Sequence, residues 1–304
     1  MAMMRALGQY IMRGRLQAAT VVGVLTVISW FLVPLSYLLS GVALGLVTLR
    51  RGLLIGLQVS AAAFLFVAGV AIIAGFGPAL PAGFALGVWL PVLLCALVLR
   101  RTESQGALVL VAGGVGMGLV AAMRLSVPDI EQWWRGWLLS WLDGKVAPEA
   151  AVQYGKFVDQ IAPLFNGAMG AGLATSLITA LLVSRWWQSL LFKPGGFQAE
   201  FRRMALPRLL GMLVAVGVGL LFLLEGSAQV WLRDLLFVAM FMYLFQGIAA
   251  VHRTVAVRGL SLAWLVAMYG LLLLVPRMIL FIACLGLADS WMGGGRTAPP
   301  RAEE

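Results

Sequence analysis

The sequence predicts an all-α protein, a polytopic transmembrane bundle of about eight to nine spans, some of them short or kinked. Three observations lead there. Apolar runs long enough to cross a bilayer follow one another along the chain, short loops separate them, and every second loop carries the arginines. A spanning helix needs about 20 apolar residues, and a charge at its centre costs about 2.5–3.5 kcal/mol on insertion scales. Hydrophobic residues make up 62% of the 304 and charged residues only 11%, against about 25% charged in soluble domains. The 36 glycines suit membrane helices, where they let neighbouring backbones approach closely.

Taken in order, Arg13 and Arg15 ahead of an apolar run mimic a signal peptide. The run continues without a small-residue cleavage site into Pro34-Leu35-Ser36-Tyr37, so it reads as a retained first helix. Residues 18–49 as one helix would reach about 48 Å at 1.5 Å per residue, beyond a ~30 Å hydrocarbon core. Pro34 stands at the middle, which predicts a hairpin crossing twice, with Tyr37 on the outer side. Further spans are expected at 53–76, 84–99, 106–123, 161–184, 209–224, 235–251 and 260–275, with Gly77-Pro78-Ala79-Leu80-Pro81 a tight turn between two of them. Past Pro276-Arg277, residues 278–288 are too few to cross unaided. They extend the ninth helix, lie at the interface, or form half of a re-entrant hairpin. Residues 1–292 read as a single integral-membrane domain, and the Gly-, Pro- and charge-rich tail 293–304 as disordered.

Orientation follows from the arginines. With a cytoplasmic N-terminus, one side of the membrane holds 14 of the 22 basic residues, among them Arg50, Arg51, Arg100, Arg101, Arg202, Arg203 and Arg253, and only Glu103 and Glu200 as acids. The reverse topology violates the positive-inside rule. The expected location is the bacterial cytoplasmic (inner) membrane, multi-pass. A net charge of +10 is scattered over loops rather than gathered on one face, so it answers to an anionic leaflet and no nucleic-acid partner is expected.

Two pieces are amphipathic without spanning. Residues 133–141 place Trp133, Trp134, Trp137 and Trp141 in the long outer loop, and indole rings favour the headgroup level, which predicts an interfacial helix. Residues 197–206 combine Phe197, Phe201 and Met204 with Arg202 and Arg203, the pattern of a cytoplasmic coupling or lipid-surface helix. Small-residue seams at Gly41/Gly45, Gly114/Gly118, Ala168/Gly172 and Ala215/Gly219 support close helix packing. Cys95 and Cys284 sit in apolar runs as small core residues, with no metal site or other cofactor indicated.

Signals for catalysis are nearly absent. There is no nucleophile elbow, P-loop, HExxH pair or paired intramembrane acids, so no enzymatic role is expected. The single histidine, His252, stands beside Arg253 at an expected helix end, where it complements the last carbonyls. Intramembrane polar groups are the better clue, because burying them unpartnered costs free energy. Tyr243, Gln246, Ala250 and Arg253 share one helix face by spacing. Asn166 opens the sixth span, Gln58 lies inside the third, and Arg277 is the charged group deepest in an apolar run. Asn166, Tyr243, Gln246 and Arg277 are the candidate substrate-binding residues, with Arg277 expected to face the interior and pair Asp289, Glu225 or an anionic ligand. Each of these groups also has a plain alternative, a hydrogen bond to a neighbouring helix.

Segments Phe201-Arg202-Arg203-Met204-Ala205-Leu206-Pro207, Phe245-Gln246-Gly247-Ile248-Ala249-Ala250-Val251-His252, Arg258-Gly259-Leu260-Ser261 and Leu285-Gly286-Leu287-Ala288-Asp289-Ser290-Trp291 resemble the DUF2232 or YybS-like family of bacterial membrane proteins. That family is similar, more distantly, to the substrate-binding subunits of energy-coupling-factor transporters, which implies a Gly-rich helical bundle. No vitamin-site motif is matched. The resemblance implies a small-solute binding or transport subunit. It would work with the lipid bilayer around it and, lacking an ATP-binding motif, with a membrane protein partner or energising subunit unless transport is secondary. The alternative is a structural or assembly factor of the envelope without a substrate cavity.

Overall fold

The computed structural model describes residues 2–30, 36–143, 145 and 148–293. Among them every regular element is a helix. The expected break at Pro34 and the tail beyond 293 lie outside the described residues.

Helix α1 (Ala2–Arg13) precedes the first apolar run, and Gly14 separates it from α2 (Arg15–Ser29). The next helix, α3 (Ser36–Arg51), runs back antiparallel, because the Arg51 guanidinium reaches the Met12 carbonyl beside the start of α2. The hairpin is therefore real, but its helices of 15 and 16 residues extend only about 22–24 Å each. Gly52, at φ 97°, makes the one-residue reversal into α4 (Leu53–Ile73), a conformation that glycine adopts without a Cβ clash. Alongside α2, α4 runs parallel: Gly23 faces the Phe66 ring and Trp30 meets Phe76 edge-on at 5.3 Å.

The next leg is continuous from Ala79 to Thr102: α5 (Ala79–Phe84), a π-helical turn (Ala85–Trp89) and α6 (Leu90–Thr102). It starts inside the segment expected to be a turn. Glu103 in the left-handed region and Ser104, whose hydroxyl accepts from the Ala107 N–H at 3.2 Å, reverse the chain into α7 (Gln105–Ser126). Such a cap satisfies one of the donors a helix start leaves open. Then come α8 (Ile130–Leu142), α9 (Pro148–Phe192), α10 (Gly196–Arg202), α11 (Arg208–Leu220), α12 (Gly226–Val257), α13 (Ala263–Leu274) and α14 (Met278–Met292).

Five of these stretches are long and apolar enough to cross a membrane: Leu53–Ile73, Ala79–Thr102, Gln105–Ser126, Val152–Phe192 and Gly226–Val257. The expected eight to nine spans are thus met in part. The remaining apolar legs α2, α11, α13 and α14 are helices of 12–15 residues, shorter than a ~30 Å core requires.

Helix α9 is central, packing against α3, α7, α8 and α12. Its 45 residues extend about 68 Å, well past the expected 161–184. The Trp-rich segment forms α8, capped by Asp129, whose carboxylate accepts from the Gln132 N–H. It buries Ile130 and packs Trp134 and Leu138 against Val158, Ala162 and Phe165 of α9, while Trp133, Trp137 and Trp141 stay exposed.

Glycine seams exist, but only one of the four expected pairs is placed as read. Gly41 and Gly45 face Ala180, Leu181 and Ser184 of α9. Gly114, Gly118, Gly172 and Gly219 face open space instead. The contacts fall two residues away, where Gly116 and Gly170 bring α7 and α9 together and Gly217 meets Leu236. Cys95 is buried as expected, whereas Cys284 is exposed, because α14 turns that face outward.

The reading of residues 276–292 needs the largest correction. They do not continue α13, since α14 turns back and runs parallel to α12. Leu280 shares a groove with Leu236 at one end of the pair, and Asp289 reaches Gln246 and Arg253 at the other. Asp289 and Arg253, expected on opposite sides of the membrane, are therefore neighbours.

Candidate functional site

The arginine-bearing loops gather at one end of the bundle. Arg100 donates to the carbonyls of Thr48 and Leu49, and Arg185 holds Glu200 through two bonds of 2.8 Å. Gly106 abuts Ala205, and Arg208 abuts Gly293. Within this basic end lies a buried polar junction. The Asp289 carboxylate accepts from Gln246 Nε2 at 3.0 Å and from the Arg253 guanidinium. Arg253 also donates to the Arg202 carbonyl at 3.1 Å, and Gln246 Oε1 accepts from the Leu206 N–H at 3.0 Å. Gln246 is fully buried, and the Arg253 and Asp289 side chains are 12% and 6% exposed. In this way the non-helical segment following α10 buries Met204 and Leu206 without orphaning the Leu206 amide, as backbone in a low-dielectric setting requires. The Tyr243 and Ser290 hydroxyls converge beside Gly211.

A second junction sits at the opposite end of α12. Asp234, 1% exposed, pairs with Arg124 of α7 and accepts from Asn166 Nδ2 of α9 at 2.9 Å. Neighbouring Arg233 donates to the Pro163 carbonyl at 2.6 Å and to Glu131 of α8 at 3.1 Å. Twelve residues separate Asp234 from Gln246, about 18 Å along the helix.

The sequence-derived candidates are therefore not brought together. Asn166 belongs to one junction, Gln246 to the other, and Tyr243 lines a separate apolar groove of about 270 Å³ between α11, α12 and α14. Ala250 and Arg253 do share the buried face of Tyr243 and Gln246, as the spacing predicts. Arg277 is exposed at the reversal before α14 and forms no ion pair among the described residues. The expected pairing with Asp289 fails because Arg253 holds that carboxylate, and Glu225 stands at the start of α12 without Arg277 as partner. Arg277→Leu is accordingly expected to leave the unfolding temperature within about 1 °C of the parent, as for a surface change; a thermal melt in detergent checks it. Gln58 is exposed on α4 and does not face the bundle interior. His252 lies inside α12, which continues to Val257, so it does not complement terminal carbonyls. Its Nε2 stands 2.9 Å from the Tyr269 hydroxyl of α13, and its ring meets Phe201 edge-on at 5.4 Å.

His252 belongs to a site the sequence reading missed. A cavity of about 520 Å³ opens at the basic end between α9, α10, α12 and α13, with Trp186, Phe197, Phe201, Phe245 and Tyr269 among its walls. Gln198, Arg202 and His252 are its polar members. The signal was the amphipathic piece at 197–206, read as a surface helix; its aromatic face is turned toward this cavity.

A helical bundle with several candidate spans and buried charge pairs between them defines an integral membrane protein. Residues 151–290 match the family model described as a predicted membrane protein, DUF2232, which shows the resemblance read from the sequence for that part of the chain. The match runs from α9 into α14 and includes Asp234, Gln246, Arg253 and Asp289. No curated protein and no solved structure is significantly similar to the chain, so the more distant likeness to energy-coupling-factor subunits is not confirmed. Three of the four segments carrying the resemblance contribute to the basic-end junction: Leu206, then Gln246, then Asp289.

Proposed function

We propose that this protein is a small-solute binding or transport subunit of a bacterial inner membrane. The basic end faces the cytoplasm, by the positive-inside rule, and α8 lies at the outer headgroup level. The observation that carries the reading is the aromatic cavity. Its volume of about 520 Å³ falls in the range of small-molecule sites, and rings with a few polar groups are the usual lining of such sites. Asn166 and Gln246 serve the scaffold in this reading, and Arg277 stays outside it. No catalytic step is invoked. Transport is secondary or powered by a partner, since the chain carries no ATP-binding motif.

The test is retention of a small molecule. Protein purified in lipid nanodiscs is denatured and its released contents compared by mass spectrometry with those of Leu265→Trp, which fills the cavity from α13. A compound released by the parent and missing from Leu265→Trp supports the reading. The second reading, an envelope assembly factor, is favoured by the internal saturation of Gln246 and Asp289. It expects no such compound and a protein partner retained equally by both forms.

A further inference from the structure

The lining of the aromatic cavity is unbalanced in charge. Besides rings and aliphatic side chains it contains Arg202, His252 and Gln198, and no carboxylate. The acids nearby are already committed: Glu200 is held by two nitrogens of Arg185, and Asp289 by Arg253 and Gln246. Arg202 itself gives only its backbone carbonyl, to Arg253, and its side chain is in no ion pair among the described residues. Arg202 and His252 line the same cavity. A guanidinium keeps its proton, and its planar fork matches a carboxylate or phosphate through two parallel bonds. Such charge-assisted bonds are about twice as strong as neutral ones. Beside an apolar cavity, a half-exposed cation without a carboxylate partner gains from an anion placed there.

We infer that the cavity takes an amphipathic anion, with an apolar or aromatic body among Trp186, Phe197, Phe201 and Phe245 and a carboxylate or phosphate group at Arg202. This rests on the binding reading above. Gln198 and the His252–Tyr269 pair supply further donors around that group. The shared chemistry has two sources, a bilayer lipid with an anionic headgroup or a free amphipathic anion.

The experiment uses the full chain in nanodiscs of phosphatidylcholine and radiolabelled dodecyl phosphate as the probe, with dodecanol and dodecylammonium as competitors. Saturable binding of dodecyl phosphate is expected, resisted by both competitors and lost in Leu265→Trp. Arg202→Ala should weaken it at least tenfold and Arg202→Lys should restore part of that loss. Arg203→Ala, which removes an exposed neighbouring charge, should change it less than twofold. Adding phosphatidylglycerol to the nanodiscs separates the sources: it displaces the probe if the site selects a bilayer lipid and leaves it in place if the site selects a free anion. Equal effects of Arg202→Ala and Arg203→Ala, or dodecanol or dodecylammonium competing as well as dodecyl phosphate, overturn the anion assignment while leaving a Leu265-sensitive binding site intact. Absence of saturable binding by any of the three amphiphiles overturns the assignment and the binding reading together.

Discussion

Asp289→Ala is expected to destabilise the protein by about 3–5 kcal/mol, the cost of leaving a buried charge without its partner. The Arg253 guanidinium would lose its carboxylate, and Gln246 Nε2 its acceptor, in a place where both are shielded from water. The change should appear as a large fall in the unfolding temperature in detergent. Asp289→Asn should fall in between, because an amide oxygen still accepts from Gln246 but carries no charge. The double variant Arg253→Met with Asp289→Leu separates pairing from packing, since replacing a buried pair by apolar side chains of similar volume is often neutral or stabilising. A melting curve for Asp289→Ala superimposed on that of the parent would show that the pair is hydrated, and the burial argument would fail.

The second large effect is expected at the crossing of α12 and α14. A Cβ on Gly247 would lie 1.9 Å from the Ile282 carbonyl oxygen, and one on Gly286 2.1 Å from that of Tyr243. Backbone cannot rotate aside as a side chain does, so the helices must separate, which removes the packing that positions Asp289. Gly247→Val is expected to cost more than about 4 kcal/mol, above the usual range for overpacking. The comparison is internal. Gly114 and Gly118 have nothing within 4 Å of an added Cβ, so alanine there should be neutral or raise stability by up to about 1 kcal/mol through helix propensity. If all four positions respond alike to substitution, the crossing is looser than its geometry indicates.

Composition and the spacing of apolar runs were enough to give the fold class, because bilayer thickness sets helix length whatever the helices pack against. The hairpin could be read from the length of residues 18–49 together with Pro34 at their middle. Tyr243, Gln246, Ala250 and Arg253 were legible as one face because that is a local periodicity. Their partners were not, since nothing in the spacing of Asp289 or Leu206 shows that α14 turns back beside α12. Arg277 stands next to Pro276 in the middle of an apolar stretch, which in sequence looks the same as a buried charge. Only the reversal there shows it to be exposed. The glycine seams failed for a related reason: in a chain so rich in glycine, spacing does not choose the face, and the crossing partner does. The aromatic cavity draws its walls from four helices, so only its α10 portion left a trace.

Helix α9 is a strut that touches both ends of the molecule. Near its start Asp159 binds Arg135 of α8, and near its finish Arg185 binds Glu200 of α10. Pro163 removes one helical N–H from the strut, and Arg233 of α12 donates to the Pro163 carbonyl at the same level. Bending there would swing the Trp-rich helix while the lower shaft stays locked in the bundle. Tilting the whole shaft would instead carry α10, and with it one wall of the aromatic cavity, in step with an event on the far surface. One continuous helix thus ties elements at both faces of the bundle to each other, and its proline lies where an arginine of α12 reaches its backbone.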